Sequence, residues 1–117
     1  MRPVLHSDVV AAARVLLALP MGGRLQAMRK MLERAGAADL YRKRLRKHHP
    51  DWGNGSLMAV AMGHEMRPEP FMDDLDYCRC LMLVFESLLN WRCEKAALNR
   101  TRSLCRLAQA YAFNRNT

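Results

Sequence analysis

A nearly continuous apolar segment between Cys80 and Trp91 constrains the fold more than any other feature of the sequence. Apart from the thiol of Cys80, its only polar side chains are Glu86, Ser87 and Asn90. A helix that is apolar on nearly every side is normally buried. We therefore expect a central helix at about residues 74–92. The segment is shorter than the roughly 18–20 apolar residues that a membrane span needs, so no membrane partner is expected.

The rest of the chain repeats apolar residues at helical spacing and lacks the alternation typical of strands. We predict an all-α fold, a compact bundle of five to six helices, in one domain over residues 1–117. Residues 1–49 would form the basic helices one to three, and residues 50–72 a loop, a short helix and a proline linker. Residues 73–113 would form the central and C-terminal helix, as one helix or as two.

Local signals predict where these helices begin and end. Ser7 would cap helix one, which would end at Leu19 before Pro20. Gly36 would end helix two as a left-handed cap, and helix three would begin near Ala38. Ser56 would cap a short helix that ends near Glu65, and Asp73 or Asp74 would cap the central helix. The side chains expected to face the core from helices two and three are Leu25, Met28, Leu32, Leu40, Tyr41 and Leu45.

Positive charge is concentrated in the two terminal parts of the chain. The net charge is +8, and residues 1–52 carry 11 basic and 4 acidic side chains. Residues 93–117 carry 5 basic and 1 acidic side chains, whereas residues 53–92 carry 3 basic and 6 acidic ones. This asymmetry suits binding to nucleic acid or to an acidic surface, and equally suits attraction between two parts of one molecule or between two subunits.

The densest basic run lies at residues 42–49, where helix three is predicted. Like charges four residues apart on a helix repel by about 0.2–0.5 kcal/mol per pair, which an anionic partner would relieve. A second basic row is predicted on the C-terminal helix, formed by Arg92, Lys95, Arg102 and Arg106. The residues expected to contact an anionic partner are Arg42, Lys43, Arg46, Lys47, Arg102 and Arg106. The alternative is an ordinary solvated face, since no recognised nucleic-acid-binding motif accompanies the charge.

The loop after this run contains several residues of interest: His49, Trp52, Gly53, Gly55 and Ser56. A glycine-rich turn before a helix can hold an anion on its free backbone N–H groups. This one lacks the lysine and the spacing of a phosphate-binding loop. A turn followed by a helix cap explains the same residues, with Trp52 packing the loop onto the core.

No residue pattern predicts catalysis, a metal site or a cofactor. Cys78 and Cys80 would be about 200° apart on a helix, and the histidines lack the spacing of a zinc site. Reduced thiols in a cytoplasmic protein fit the four cysteines better than disulfides do. The aspartates at residues 73–76 suit helix capping better than acid–base chemistry, so we do not expect an enzyme.

Two stretches resemble a small bacterial family of short all-helical proteins that has no known function. They are His49-Pro50-Asp51-Trp52-Gly53-Asn54-Gly55-Ser56-Leu57-Met58 and, after it, Pro70-Phe71-Met72-Asp73-Asp74 with Tyr77. The resemblance covers about the first 92 residues. It implies a helical fold and makes the 49–58 loop a family feature, but it supplies no catalytic residues.

These observations lead to two hypotheses about function. The first is a small non-enzymatic binding or regulatory module whose basic helix face contacts an anionic partner, either nucleic acid or an acidic protein surface. The second is a protein–protein interaction module, formed as a homodimer through methionine-rich and C-terminal helical surfaces. The two differ in salt sensitivity, because phosphate contacts weaken steeply with salt and apolar contacts do not.

Overall fold

The computed structural model describes the backbone of residues 1–115 and the side chains of residues 1–110. Its elements are α1 (His6–Leu17), α2 (Met21–Leu45), α3 (Leu57–Ala61) and α4 (Leu75–Arg115). The predicted all-α class is confirmed, and the described residues contain one isolated β-bridge, between His49 and Gly53, but no strand. There are four helices in this part of the chain, so the prediction of five to six was wrong.

The predicted break at Gly36 does not occur, because helices two and three are one helix of 25 residues. Gly36 lies where α2 meets α4, and a Cβ at this position would be 3.2 Å from Cζ2 of Trp91. The glycine thus allows close packing against the indole ring rather than a helix end. The flanking alanines favour continued helix, which ends instead at Arg46 in a left-handed conformation with φ 57°.

The continuous helix gives residues 38–45 a different orientation from the predicted one. The buried side chains of α2 are Arg24, Met28, Met31, Leu32, Ala35, Ala38 and Asp39. Ala35 lies in the middle of this face, and Leu40, five residues later, lies about 140° around the helix. Leu25, Leu40 and Leu45 are therefore exposed, contrary to prediction, whereas Met28 and Leu32 are buried as predicted.

Asp8 joins the beginnings of two helices. Its Oδ2 accepts a hydrogen bond from the N–H of Leu5 at 2.7 Å, and its Oδ1 accepts one from the N–H of Met58 at 2.9 Å. Leu5, rather than the predicted Ser7, is the residue that caps α1. Ser56 caps α3 as predicted, since its Oγ accepts from the N–H of Ala59. The α3 helix ends at Ala61, earlier than expected.

The beginning of α4 is fixed to α2. Asp74 caps α4 as predicted, because its Oδ1 accepts a hydrogen bond from the N–H of Tyr77 at 2.9 Å. The buried Arg24 donates two hydrogen bonds to Asp76, at 2.7 and 2.9 Å. Further along, Gly36 contacts Trp91. Successive contacts therefore follow both chains in the same direction, so α2 and α4 run parallel.

Only one side of α4 is buried. Tyr77, Cys80, Val84 and Leu88 face α1 and α2, and Leu88 is 6 % exposed. The predicted central helix is confirmed for these residues but not for its opposite side, where Phe85 is exposed. All residues from Arg92 to Ala110 are exposed. Because 41 residues of helix measure about 62 Å, α4 runs most of the longest dimension of the molecule, which is 65 Å.

None of the helices in the described part of the chain combines the length and apolar character that crossing a membrane requires.

Candidate interaction surfaces

Asp39 connects three parts of the chain. Its Oδ1 lies 2.9 Å from Nη2 of Arg42, and its Oδ2 lies 3.2 Å from Nζ of Lys43 and 3.2 Å from the amino group of Met1. The Asp39 side chain is only 5 % exposed. Gly55 packs directly against the backbone of Asp39. Asp39 thus holds the N-terminal segment and the 49–56 loop against α2.

The pKa of Asp39 reflects two opposing effects. Burial alone would raise it, but hydrogen bonds from Arg42, Lys43 and the N-terminal amino group lower it to about 2. Because this pKa is depressed in the folded protein, Asp39 stabilises the fold at pH values above the pKa of the unfolded chain, which is 3.8. This stability is lost as the pH falls through about 2.

Replacing Asp39 by Asn is therefore expected to change how stability depends on pH. The wild type should lose about 2 kcal/mol of unfolding free energy through this group between about pH 5 and pH 2, and Asp39→Asn should not lose that part. Urea melts across this range measure the difference. Asp73→Asn, which removes an exposed carboxylate without an ion pair in the described residues, is the control. Equal acid destabilisation of the wild type and Asp39→Asn would contradict the assignment.

The basic run at residues 42–47 does not form the single outward face that was predicted. Arg42 and Lys43 are paired with Asp39, and Arg42 is only half-exposed. Arg46 caps α2, where its N–H donates to the carbonyl oxygen of Arg42 at 2.8 Å. Lys47 follows the helix and is exposed. Pairing with Asp39 lowers the charge that Arg42 and Lys43 offer to a partner.

The second predicted basic row lies at the same end of the molecule. Lys43 of α2 and Lys95 of α4 line one groove, and the parallel course of the helices carries α4 onward from there. Arg102 and Arg106 are exposed on the part of α4 that extends beyond this groove. The structure therefore brings the two rows toward one end rather than into one continuous patch.

The loop residues of interest form a stack against α2. The His49 ring lies parallel to Trp52, with centroids 4.5 Å apart, and meets the edge of Tyr41 at 4.9 Å. The guanidinium of Arg34 lies 5.7 Å from the Trp52 ring centroid. Nδ1 of His49 accepts hydrogen bonds from the N–H groups of Asp51 and Trp52, both at 3.1 Å. Trp52 thus packs the loop onto the protein, as predicted.

Hydrogen bonds within the protein already occupy four of the N–H groups that could hold an anion at this loop. The N–H of Gly53 donates to the carbonyl oxygen of His49, and that of Ser56 donates to Oδ1 of Asn54. The N–H groups of Met58 and Ala59 donate to Asp8 and Ser56. Gly53 and Gly55 have φ values of 78° and 92°, which glycine adopts without steric cost. The arrangement is a structural turn rather than an open anion cradle.

The cysteines and histidines do not converge in the described part of the chain. No group of three or more His, Cys, Asp or Glu side chains there has an arrangement that could hold a metal ion. Cys80 is buried, Cys78 is half-buried, and Cys93 and Cys105 are exposed on α4. The Sγ of Cys78 donates a hydrogen bond to the carbonyl oxygen of Met72.

A surface that the sequence analysis missed runs along the side of α4 facing away from α1 and α2. Six apolar side chains lie within about 60° of Met82 around the helix, and we call them the outer stripe. They expose between 54 % and 72 % of their surface: Leu75, Met82, Phe85, Leu89, Leu104 and Leu107. The spacing of seven residues between Leu75, Met82 and Leu89 is the sequence signal that could have revealed it.

An apolar groove widens the outer stripe on the side of α1. Its volume is about 280 Å³. Leu5, which is exposed, forms one wall, while Phe85 and Leu89 form the other. Exposed apolar surfaces of this kind mark interaction sites more often than ordinary solvated surface.

A model of one protein family matches residues 2–88, which include α1 to α3, the 49–56 loop and the first part of α4. No curated protein and no solved structure matches the chain with significant similarity. The resemblance of the first 92 residues to a helical family of no known function is thereby confirmed. The match covers well over half of the chain, and the protein belongs to the family described as a domain of unknown function, DUF7742.

Proposed function

We propose that this protein is a small non-enzymatic interaction module that forms a homodimer through the outer stripe of α4. The observation that supports this most directly is the exposure of six large apolar side chains on one side of a single continuous helix. In a monomer these side chains would remain in water. A partner that covers the face would remove them from it, which is the main driving force of most protein association.

The C-terminal part of α4 gives a second reason to expect a partner. Each residue from Arg92 to Ala110 is exposed, so packing within the chain stabilises this part of the helix less than the part before it. Most of the stability of helices in proteins comes from tertiary packing rather than from helix propensity. Packing against a second protein would supply the missing contacts.

A second copy of the chain carries the same outer stripe and can cover it. Burial of a large apolar side chain contributes about 1.5–3 kcal/mol, and each copy presents six of them at 54–72 % exposure. A twofold axis brings the same surface of both copies together, so each copy covers the stripe of the other.

The oligomeric state tests this proposal. Light scattering coupled to size-exclusion chromatography should give a dimer mass for the wild type at micromolar concentration, and high salt should not dissociate it. Met82→Glu combined with Leu89→Glu should give a folded monomer with less helix, because the part of α4 after Arg92 then has no partner to pack against. Leu40→Glu combined with Leu45→Glu adds the same charge at exposed apolar positions of α2 and should remain dimeric. A wild type that stays monomeric at high concentration would refute the proposal.

We also propose that the protein acts in the cytoplasm. Cys93 and Cys105 are exposed and unpaired in the described part of the chain. Exposed free thiols persist in reducing compartments and oxidise in secreted proteins.

A second candidate function is binding of an anionic partner, nucleic acid or an acidic protein surface, at the basic end of the molecule. The observation that favours it is the parallel course of α2 and α4, which carries both basic rows toward that end. Arg46, Lys47, Arg102 and Arg106 have no ion pair among the described residues. They remain available to phosphates or carboxylates.

Fluorescence anisotropy with labelled duplex DNA and RNA tests this second candidate. Three double variants with both basic residues changed to Gln are compared: Arg46 with Lys47, Arg102 with Arg106, and, as a control, Arg29 with Lys30. The first two should weaken binding and reduce the salt slope by up to about 0.9 per lost phosphate contact. If the wild type binds no nucleic acid at low salt, phosphate binding is excluded and an acidic protein surface is the remaining partner.

A further inference from the structure

We infer that the two copies of α4 in this homodimer pack antiparallel about a twofold axis at Cys93, so that Glu86 of each copy pairs with Arg100 of the partner subunit. This inference rests on the proposed homodimer and defines its geometry. It starts from the two charged side chains of α4 that lie within about 40° of Met82, since Arg79 lies at the edge of the outer stripe, about 60° away. Glu86 is about 40° around the helix from Met82, and Arg100 lies on the same line as Met82.

The positions of these two charges are symmetric about Cys93. Glu86 lies seven residues before Cys93 and Arg100 lies seven residues after it, so each is about 10 Å from it along the helix. Both are exposed and have no ion pair among the described residues. Covering the stripe would place them in an apolar interface, where an unpaired charge is strongly unfavourable. A stable dimer must therefore supply each with a partner.

Whether each of these charges faces an opposite charge depends on whether the two α4 helices run parallel or antiparallel. In a parallel, in-register pair each side chain would face its own equivalent, which places Glu86 beside a second glutamate and Arg100 beside a second arginine. In an antiparallel pair centred on Cys93, Glu86 faces Arg100 of the partner subunit, and symmetry repeats the contact on the other side of the axis. The antiparallel arrangement alone pairs both charges.

The apolar positions agree with this register. Met82 would face Leu104 of the partner subunit, and Leu89 would face Ala97 of the partner subunit. The C-terminal part of each α4, which is exposed in its own chain, would lie along the outer stripe of its partner.

Charge reversal tests the register. Glu86→Arg and Arg100→Glu should each raise the dissociation constant of the dimer at least about tenfold, because each places like charges opposite one another. The double variant Glu86→Arg/Arg100→Glu should restore association. A parallel dimer would give no such rescue. If the single variants dimerise as well as the wild type does, the register is wrong although the homodimer stands.

Chemical cross-linking locates the axis with a residue that the chain already has. A short bismaleimide should join the two Cys93 thiols into a covalent dimer, and Cys93→Ser should abolish the product. Cys105 is equally exposed but lies 12 residues from the axis, so the two Cys105 residues would be about 36 Å apart along the dimer. Cys105→Ser should therefore leave cross-linking unchanged. A dimer without a Cys93 cross-link overturns this axis, and a monomeric wild type overturns both the axis and the homodimer.

Discussion

Replacing Gly55 by alanine is expected to destabilise the protein by about 2–6 kcal/mol, the largest effect of any single methyl group that the structure identifies. Gly55 has a φ of 92°, and a side chain in this conformation is strained by about 1–3 kcal/mol. A Cβ there would lie 2.6 Å from Cα and 2.7 Å from Cβ of Asp39. Relieving this overlap requires movement of the loop or of α2, which costs about 1–3 kcal/mol more.

Because Gly55 contacts Asp39, the Gly55→Ala substitution should also weaken contacts outside the loop. The carbonyl oxygen of Gly55 accepts a hydrogen bond from the N–H of Arg2 at 2.9 Å, and Asp39 holds the amino group of Met1. Displacing the loop would therefore weaken the attachment of the N-terminal segment as well. Because both contacts would be weakened together, we expect the loss of stability in Gly55→Ala to lie in the upper half of the range given above.

Gly22 provides a matched control for this substitution. It lies in the first turn of α2, and a Cβ there would meet nothing within 4 Å. Gly22→Ala should leave stability unchanged or raise it by up to about 1 kcal/mol, because alanine favours helix. Urea unfolding followed by circular dichroism measures both variants. A Gly55→Ala protein as stable as Gly22→Ala would show that the loop does not lie against Asp39.

The sequence predicted the features of the fold that depend on neighbouring residues. Ser56 and Asp74 cap helices because the groups that they bind lie three residues away in the chain. The all-α class follows in the same way from local apolar spacing. Trp52 was also placed correctly, since a large aromatic side chain in a turn-rich loop usually packs against the core.

The predictions from sequence were wrong where the role of a residue depends on contact with a residue far along the chain. Gly36 looks like a helix end, but its role depends on Trp91, 55 residues later. Arg42 looks like part of a solvated basic face until Asp39 is seen to be buried with the N-terminal amino group. The spacing of three and four residues from Asp39 to Arg42 and Lys43 favours ion pairs on a helix, and this local signal was available.

The interaction surfaces were predicted only in part, for a related reason. Apolar side chains around nearly the whole of α4 were interpreted as a helix surrounded by its own chain. In the structure, α1 and α2 cover one side of α4, which includes Val84 and Leu88, whereas Met82, Phe85 and Leu89 on the other side are exposed. Composition cannot distinguish a helix buried within one chain from a helix shared between two, because both are apolar on every side.

Replacing Leu32 by alanine is expected to cost about 2–5 kcal/mol, whereas the same change at Leu40 should cost less than about 1 kcal/mol. Both residues were predicted to face the core from separate helices. In the continuous α2, Leu32 is 1 % exposed and Leu40 is 48 % exposed. The two substitutions therefore remove the same atoms and differ only in where the unbroken helix places each leucine side chain.

The ratio of the two losses, measured by urea melts, tests the continuity of α2 through Gly36. A helix that ended at Gly36 would free residues 38–45 to turn Leu40 toward the core, and Leu40→Ala would then cost as much as Leu32→Ala. That rotation would also turn Asp39 and Arg42 outward and would separate Asp39 from Gly55. A large loss at Leu40 would therefore refute the continuous helix and the Asp39 contacts together. A small loss at Leu40 beside a large one at Leu32 supports both.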